Sequence, residues 1–176
     1  EAMLYNTGVL DRFGKVDDGT TTLDFDPEEI KRKITITAGF APCDWKNVRI
    51  NVIDTPGYFD FVGEVVASLK VCDSAVIVVD AVSGIEVGAE KAWDYVCEDK
   101  IPGIFFINKM DRENANFSKG LTQLREVFGN KIIPFELRIG SEANFQGVVD
   151  LIEMKSRMNE NGKCVDCEIP ADMADE

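Results

Sequence analysis

Two periods of hydrophobic and polar residues follow one another along the chain and predict an alternation of strands and helices. Apolar residues alternate with polar ones over 34–43 and again over 48–54, which predicts a β-hairpin whose second strand ends at Asp54. Helical spacing follows at Phe61, Val65, Leu69 and Cys72. The continuous apolar run over 75–79 then predicts a fully buried parallel strand.

The same rhythm continues to residue 139. It predicts a helix around Ala89, Trp93 and Val96, a strand at 103–108, a helix with Phe117, Leu121, Leu124 and Phe128 on one face, and a strand at 132–139. Strands that alternate with helices in this way predict an α/β fold with a doubly wound, mostly parallel sheet.

The domain boundaries follow from where this rhythm begins and ends. The first residues look like the end of a helix that Gly8 terminates, and 9–33 mix Gly, Asp and Thr without periodicity, which predicts a mobile loop. We expect one α/β domain over 1–140. The rhythm breaks after Gly140, so 141–176 are expected to begin a further subdomain.

Composition narrows the class of protein. The chain has 176 residues, 45% of them hydrophobic, yet its apolar runs are far shorter than the roughly 20 residues of a membrane-spanning helix. Its net charge of −13 repels phosphate backbones, so we expect no direct nucleic-acid binding. The five cysteines are an odd set, which favours a reduced, cytoplasmic protein. No feature of the sequence indicates an obligate dimer, and we expect a monomer.

A short polar loop, Asp54-Thr55-Pro56-Gly57, follows the predicted hairpin. Ligands of open α/β sheets bind beyond the carboxyl ends of the strands, so Asp54 is placed to hold Mg²⁺, most simply through a water molecule. Pro56 and Gly57 provide a rigid turn and a backbone N–H that can approach a phosphate oxygen closely. A plain strand-to-helix turn uses the same residue types, so this loop needs a second signal.

The second signal is the loop Asn108-Lys109-Met110-Asp111, which follows the strand predicted at 103–108. The Asp111 carboxylate can accept two hydrogen bonds from the ring N–H and the exocyclic amine of guanine, which adenine does not present together. The aliphatic stem of Lys109 can cover the base, and Asn108 can tie the loop to its surroundings. The two loops appear in the order that a GTP-binding domain requires.

Four stretches of the sequence together resemble the GTPase domain of bacterial elongation factor G, a translational GTPase. These stretches are 34–37, 50–57, 79–86 and 106–112. The resemblance runs nearly end to end, and residues from Arg138 onward are similar to the start of the subdomain inserted in that domain. It implies a P-loop NTPase-like fold, GTP and GDP as ligands with Mg²⁺, and a ribosome-bound motor that couples GTP hydrolysis to movement of tRNA and mRNA. Tetracycline-resistance ribosomal protection proteins share this architecture.

The resemblance also implies roles at the phosphate end of the nucleotide. Thr35 matches the switch threonine whose hydroxyl and carbonyl face Mg²⁺ and the γ-phosphate, although Thr37 competes with it by pattern. Tyr58 stands where the family has a histidine that positions the attacking water. Tyr58 and Gly57 are therefore the expected catalytic residues. The Tyr58 hydroxyl can orient water but is a poor general base, because the ordinary pKa of tyrosine is ~10. Slowed hydrolysis is therefore expected. Lys33 replaces a glycine of the family before the first switch.

The glycine-rich phosphate loop of the family, G-x-x-x-x-G-K-[ST], does not occur in the sequence. Gly14-Lys15 is a false match, because Val9 and Val16 stand where the first glycine and the Mg²⁺-binding hydroxyl residue are required. In the family fold the strand before this loop lies between the strand that ends at Asp54 and the one that ends at Asp80. We therefore expect a split sheet and a chain that is a piece of a longer protein.

Three functional hypotheses remain open from the sequence. The first is a translation elongation factor that hydrolyses GTP, with Thr35, Asp54, Thr55, Pro56, Gly57 and Tyr58 at the phosphate end and Asn108, Lys109, Met110 and Asp111 at the base. The second is a ribosome-binding paralogue that hydrolyses GTP weakly or not at all and acts in ribosomal protection, rescue or recycling. The third is an inert piece that does not hold nucleotide.

Overall fold

A computed structural model describes residues 1–160 and 163–173. The chain divides into two compact units, which are described separately below. Unit 1 comprises 1–75 and 90–103, and unit 2 comprises 76–89 and 104–176. The helices are α1 (Ala2–Asn6), α2 (Pro27–Arg32), α3 (Val62–Leu69), α4 (Val87–Glu98) and α5 (Phe117–Phe128). The strands are β1 (Gly39–Trp45), β2 (Val48–Asp54), β3 (Ala75–Asp80), β4 (Gly103–Asn108), β5 (Glu136–Ile139), β6 (Gly147–Asp150), β7 (Lys155–Glu160) and β8 (Lys163–Cys167).

The predicted hairpin of unit 1 is confirmed. Strands β1 and β2 pair antiparallel, with Gly39 opposite Asp54 and Trp45 opposite Val48. Lys46 and Asn47 form the connection, and both have positive φ angles, 47° and 65°, as a two-residue hairpin turn of the right twist requires. Helix α1 packs on this hairpin and ends where the sequence predicts, at Gly8 with φ 74°. The core is formed by Leu4, Ala41 and Cys43.

The segment 9–33, predicted as a loop, contains helix α2. Its N-terminus is a capping box: the Asp26 carboxylate accepts from the backbone N–H of Glu28, and the Glu29 carboxylate accepts from the backbone N–H of Asp26. Pro27 at the first helical position fits this start, and Lys33 ends the helix with φ 58°. A helix of six residues is shorter than two turns, which is why hydrophobic periodicity does not reveal it.

The alternation of residues predicts a strand that begins at Ile34, but β1 begins at Gly39. The backbone N–H groups of Ile36 and Thr37 donate to the buried carboxylate of Glu29, at 2.9 and 3.0 Å. Since these donors are held by a side chain, the segment before Gly39 does not join the strand ladder.

Strands β3 and β4, whose residues 76–80 and 104–108 lie in unit 2, form a two-stranded sheet. The backbone N–H of Ala75 donates to Pro102 O and that of Ala81 donates to Asn108 O, both at 2.9 Å. The partners advance in the same direction, so the strands are parallel. Among the described strands, β2 pairs with β1 and β3 pairs with β4. The expected split of the sheet stays a prediction.

The prediction that β3 is buried on both faces is wrong for the described residues. Ile77 and Val79 are buried, whereas Val76 and Val78 are each 58% exposed. Successive side chains of a strand point to opposite faces, and the described residues cover only one face of β3. The residues that follow β3 and β4 contribute to a second core, formed by Ala81, Met110 and Ala115. Ile107, Phe117 and Phe145 pack against it.

The last part of unit 2 is a four-stranded antiparallel sheet in the order β5-β6-β7-β8. The strand predicted at 132–139 begins only at Glu136, and it pairs with β6 instead of extending the parallel sheet. Arg157 of β7 forms ion pairs with Asp150, Glu153 and Asp166. The domain boundary at 140/141 stays a prediction, and the predicted subdomain extends over residues that lie outside the described ones.

Helices long and apolar enough to cross a bilayer do not occur in the ranges 1–160 and 163–173.

Candidate functional site

The first predicted loop lies in unit 1, directly after β2. Asp54 is the last residue of the strand, and Pro56 is buried under the turn. Gly57 is exposed, and a methyl group added to its Cα meets no atom within 4 Å, so a ligand can approach its backbone closely. Tyr58 is 57% exposed and precedes the 3₁₀ turn Phe59–Phe61 that leads into α3. The loop therefore presents its backbone and the Tyr58 hydroxyl to solvent.

The Asp54 carboxylate lies in a negative environment. Burial raises the pKa of Asp54, and the negative charges of Asp24 and Glu29 raise it further, while the ammonium of the first residue and the backbone N–H of Thr55 offset only part of this. A carboxylate whose pKa is raised by burial and by neighbouring carboxylates is stabilised when a further cation binds. The surroundings of Asp54 thus suit a positively charged ligand.

The segment 34–38, which contains both candidate switch threonines, is held by carboxylates of its own unit. Glu29, which is fully buried, accepts from the backbone N–H groups of Ile36 and Thr37 and from the Thr37 hydroxyl. Glu64 of α3 accepts from the backbone N–H of Ala38 at 2.9 Å. Burial acts to raise the pKa of Glu29, but these backbone donors together outweigh it and lower the pKa.

The two candidate switch threonines donate to different carboxylates. The Thr35 hydroxyl donates to Oδ1 of Asp24 at 2.7 Å, and Asp24 is the residue whose charge also acts on Asp54. The Thr37 hydroxyl donates to Glu29 at 3.2 Å. No hydrogen bond joins Thr35 to Asp54 in the part of the chain that the structure describes, but both have Asp24 as a neighbour. Thr37 is linked to Asp54 in the same way, because the charge of its partner Glu29 also acts on Asp54, so these contacts leave both threonines as candidates.

The second predicted loop lies in unit 2, directly after β4. Lys109 has a left-handed backbone with φ 61°, and Met110 turns inward and is 8% exposed in the core of this unit. The backbone carbonyls of Asn108 and Met110 accept from Ala81 N–H and Glu142 N–H, which fixes the loop on both sides. Asp111 is exposed, and none of the described residues donates a hydrogen bond to its carboxylate. Asp111 is therefore available to an external donor.

The Lys109 ammonium forms an ion pair with the Asp80 carboxylate, at 2.7 Å, across the ends of β4 and β3. The hydrogen bond from Lys109, with those from the backbone N–H groups of Val82 and Ser83, lowers the pKa of Asp80 to about 2. Asp80 is thus ionised throughout the physiological pH range.

Sequence reasoning did not identify four residues that organise these loops: Asp24, Glu29, Glu64 and Asp80. One signal was available, since Asp26, Pro27 and Glu29 have the spacing of a capping box and so indicate where α2 begins. No local signal identifies the other contacts, because Thr35–Asp24 spans 11 residues, Ala38–Glu64 spans 26 and Lys109–Asp80 spans 29.

Each unit offers its own set of ligand-binding groups. Unit 1 offers carboxylate and hydroxyl oxygens, the ligand types that Mg²⁺ prefers, beside an open glycine backbone that suits phosphate. Unit 2 offers an exposed carboxylate that accepts from two neighbouring N–H groups, beside an apolar lysine stem. Among the described residues no group of three or more His, Cys, Asp or Glu side chains is arranged to hold a metal by itself. A cation at Asp54 therefore needs oxygen ligands from phosphate or water.

Comparison with known proteins identifies the relatives of this chain. Residues 1–165 match the family of the elongation factor Tu GTP binding domain. Elongation factor G of Granulibacter bethesdensis is 43% identical over 179 residues, which cover 99% of this chain and 26% of that protein. A crystal structure of a protein from Thermus thermophilus matches with a TM-score of 0.92 and 34% identity, over 99% of this chain and 26% of that one. The chain thus spans about a quarter of the length of these relatives.

Proposed function

The chain belongs to the family of the elongation factor Tu GTP binding domain, and from this we propose that it binds GTP and GDP as part of a translation factor of the elongation factor G type. The observation that carries the proposal is the loop after β4. Its backbone is fixed on both sides, Met110 anchors it in the core, and the Asp111 carboxylate remains exposed for the N–H groups of guanine. An adenine nucleotide leaves that carboxylate without its two donors.

At the phosphate end we propose that Asp54 and Thr35 hold Mg²⁺ and that the backbone of Gly57 contacts the terminal phosphate. The raised pKa of Asp54 supports this, because burial and the negative charges of Asp24 and Glu29 outweigh the effect of the N-terminal ammonium and of the Thr55 backbone N–H on its carboxylate. Oxygen ligands and a retained water shell are what Mg²⁺ favours. The ion supplies charge neutralisation to the phosphates, and these residues position it.

For hydrolysis we propose that Tyr58 orients the attacking water. Its side chain is 57% exposed beside Gly57, and phosphoryl transfer depends mainly on positioning and charge stabilisation, so a hydroxyl that orients water suffices for slow turnover. In the whole protein this turnover would drive movement of tRNA and mRNA on the ribosome, as proposed from the likeness to elongation factor G. We further propose that the protein is cytoplasmic and monomeric, and that this part of it makes no direct contact with nucleic acid.

A titration with fluorescent GDP in Mg²⁺, competed by unlabelled GTP and ATP, tests the proposal. We expect GTP to displace the probe and ATP to need about 10⁴-fold more, since the pocket leaves a charged group unpaired with adenine. Equal displacement by ATP contradicts guanine recognition. No binding by a chain that melts cooperatively favours the alternative of a folded piece that does not hold nucleotide.

Replacing Tyr58 by phenylalanine is expected to lower ribosome-stimulated phosphate release about three- to tenfold, which is the value of one hydrogen bond to the attacking water. GDP affinity is expected to stay unchanged, because the hydroxyl acts on water and not on the bound product. Tyr5→Phe is the matched control, since Tyr5 is an exposed tyrosine of the same unit. Equal rates for Tyr58→Phe and the unaltered protein would contradict a role for the hydroxyl. If the unaltered protein itself releases phosphate no faster than background, the paralogue that binds GTP without turnover is favoured.

A further inference from the structure

Asp80 uses its two carboxylate oxygens for different purposes. Oδ1 accepts from the backbone N–H groups of Val82 and Ser83, at 2.8 and 3.2 Å, and so closes the turn after β3. The same turn is fastened by the backbone N–H of Gly84, which donates to Asp80 O at 2.8 Å. Oδ2 takes no part in the turn and accepts from the Lys109 ammonium at 2.7 Å. The contact with Lys109 is therefore separate from the hydrogen bonds that close the turn.

Lys109 is anchored at both ends by these contacts. Its backbone has a left-handed conformation between the fixed carbonyl of Asn108 and the buried Met110, and its ammonium is held by Asp80. These two contacts restrict the rotation of the four methylene groups between them before any ligand binds. A free lysine side chain would lose that freedom only on binding, which lowers affinity.

We propose that Asp80 is a positioning residue for guanine nucleotides, which holds the Lys109 ammonium so that the lysine stem is ordered for contact with the face of the base. This inference rests on the proposed function. Asp80 touches neither base nor phosphate in this scheme and acts through Lys109. Since Asp80 stays ionised at neutral and mildly acidic pH, protonation of its carboxylate does not break the ion pair there.

A double-mutant cycle on the chain, read out by GDP affinity, tests this assignment. Asp80→Asn keeps an oxygen for Val82 and Ser83 and removes the charge, and Lys109→Met keeps an apolar stem and removes the ammonium. We expect Asp80→Asn to weaken GDP binding about tenfold. In the Lys109→Met background the same change is expected to have no further effect, because the contact it removes is already absent. The ratio of GDP to inosine diphosphate affinity should stay constant, since the stem contacts the face of the base and not its edge.

Asp99→Asn is the matched control, because Asp99 forms a comparable ion pair with Lys70 in unit 1. Its GDP affinity should equal that of the unaltered chain. A tenfold loss from Asp80→Asn that persists in Lys109→Met would overturn the inference, because Asp80 would then act through the turn. Unchanged affinity in Asp80→Asn would overturn it as well and leave the proposed function standing. An unaltered chain without guanine-selective binding would overturn both.

Discussion

Replacing Asp111 by asparagine is expected to weaken GDP binding about 10²- to 10⁴-fold. The carboxylate is proposed to accept two charge-assisted hydrogen bonds from guanine, each worth about 1.5–3 kcal/mol, and an amide presents a donor where one of these acceptors stood. The same variant is expected to gain affinity for xanthosine diphosphate, whose carbonyl accepts from the new amide. Both affinities are measured by competition against fluorescent GDP.

The control for this substitution is Glu113→Gln, which removes a carboxylate from an exposed position of the same loop. Its GDP affinity should remain within about twofold of that of the unaltered chain, since a solvent-exposed charge near the site contributes little after screening. A loss of GDP affinity in Asp111→Asn without any gain for xanthosine diphosphate would indicate a disturbed loop. It would argue against edge recognition by Asp111.

Replacing Glu29 by glutamine is expected to lower the free energy of unfolding by about 2–4 kcal/mol. The buried carboxylate accepts from three backbone N–H groups and the Thr37 hydroxyl, and glutamine keeps one acceptor oxygen while turning an N–H₂ group toward the remaining donors. The segment 34–38 would lose its tether to α2. Urea unfolding followed by circular dichroism measures the change, and a midpoint equal to that of the unaltered chain would contradict this role.

Glu28→Gln is the matched control for Glu29, because the neighbouring glutamate lies on the exposed side of α2 and pairs only with Lys31 and Arg32 among the described residues. We expect a loss below about 1 kcal/mol for that surface pair. The two substitutions differ in burial and not in chemistry. A similar loss in both would show that burial of Glu29 is not what matters.

The stability difference between the unaltered chain and Glu29→Gln is also expected to depend on pH. Because the folded pKa of Glu29 lies below its ordinary value of 4.5, its contribution is fully present above about pH 4.5 and is lost as the pH falls through the folded pKa. The difference should therefore be largest at neutral pH and shrink in acid. Unfolding curves at about pH 7, 5 and 3 measure it, and a difference that grows in acid would contradict the assignment.

The sequence predicted the elements whose hydrophobic pattern or turn residues lie within a few positions of one another. The hairpin β1–β2, the helical spacing of α5 and the polar loops after β2 and β4 each follow from residue types that are close in sequence, because periodicity and turn chemistry are local. The guanine selectivity proposed for Asp111 also needed only the chemistry of a carboxylate. The family membership confirms the P-loop NTPase-like fold that these patterns and the resemblance predicted.

Features that depend on a distant partner were not predictable. The alternation over 34–43 indicated a strand, but Glu29 holds the backbone of Ile36 and Thr37 and moves the start of β1 to Gly39. The apolar run of β3 indicated burial on both faces, yet burial depends on which elements cover each face, and Val76 and Val78 are exposed. Residue type alone does not determine either outcome.

The sequence by itself determined which side chains are candidates for nucleotide binding: Asp54 after β2, Tyr58 in the turn that follows, and Asn108, Lys109 and Asp111 after β4. Only the tertiary structure decided how they are held. It pairs Thr35 with Asp24 and binds the segment 34–38 to Glu29 and Glu64. It also joins Lys109 to Asp80, which lie 29 residues apart in the sequence. The physical reason is that hydrogen-bond partners and burial are set by distances in space, which a local pattern does not contain.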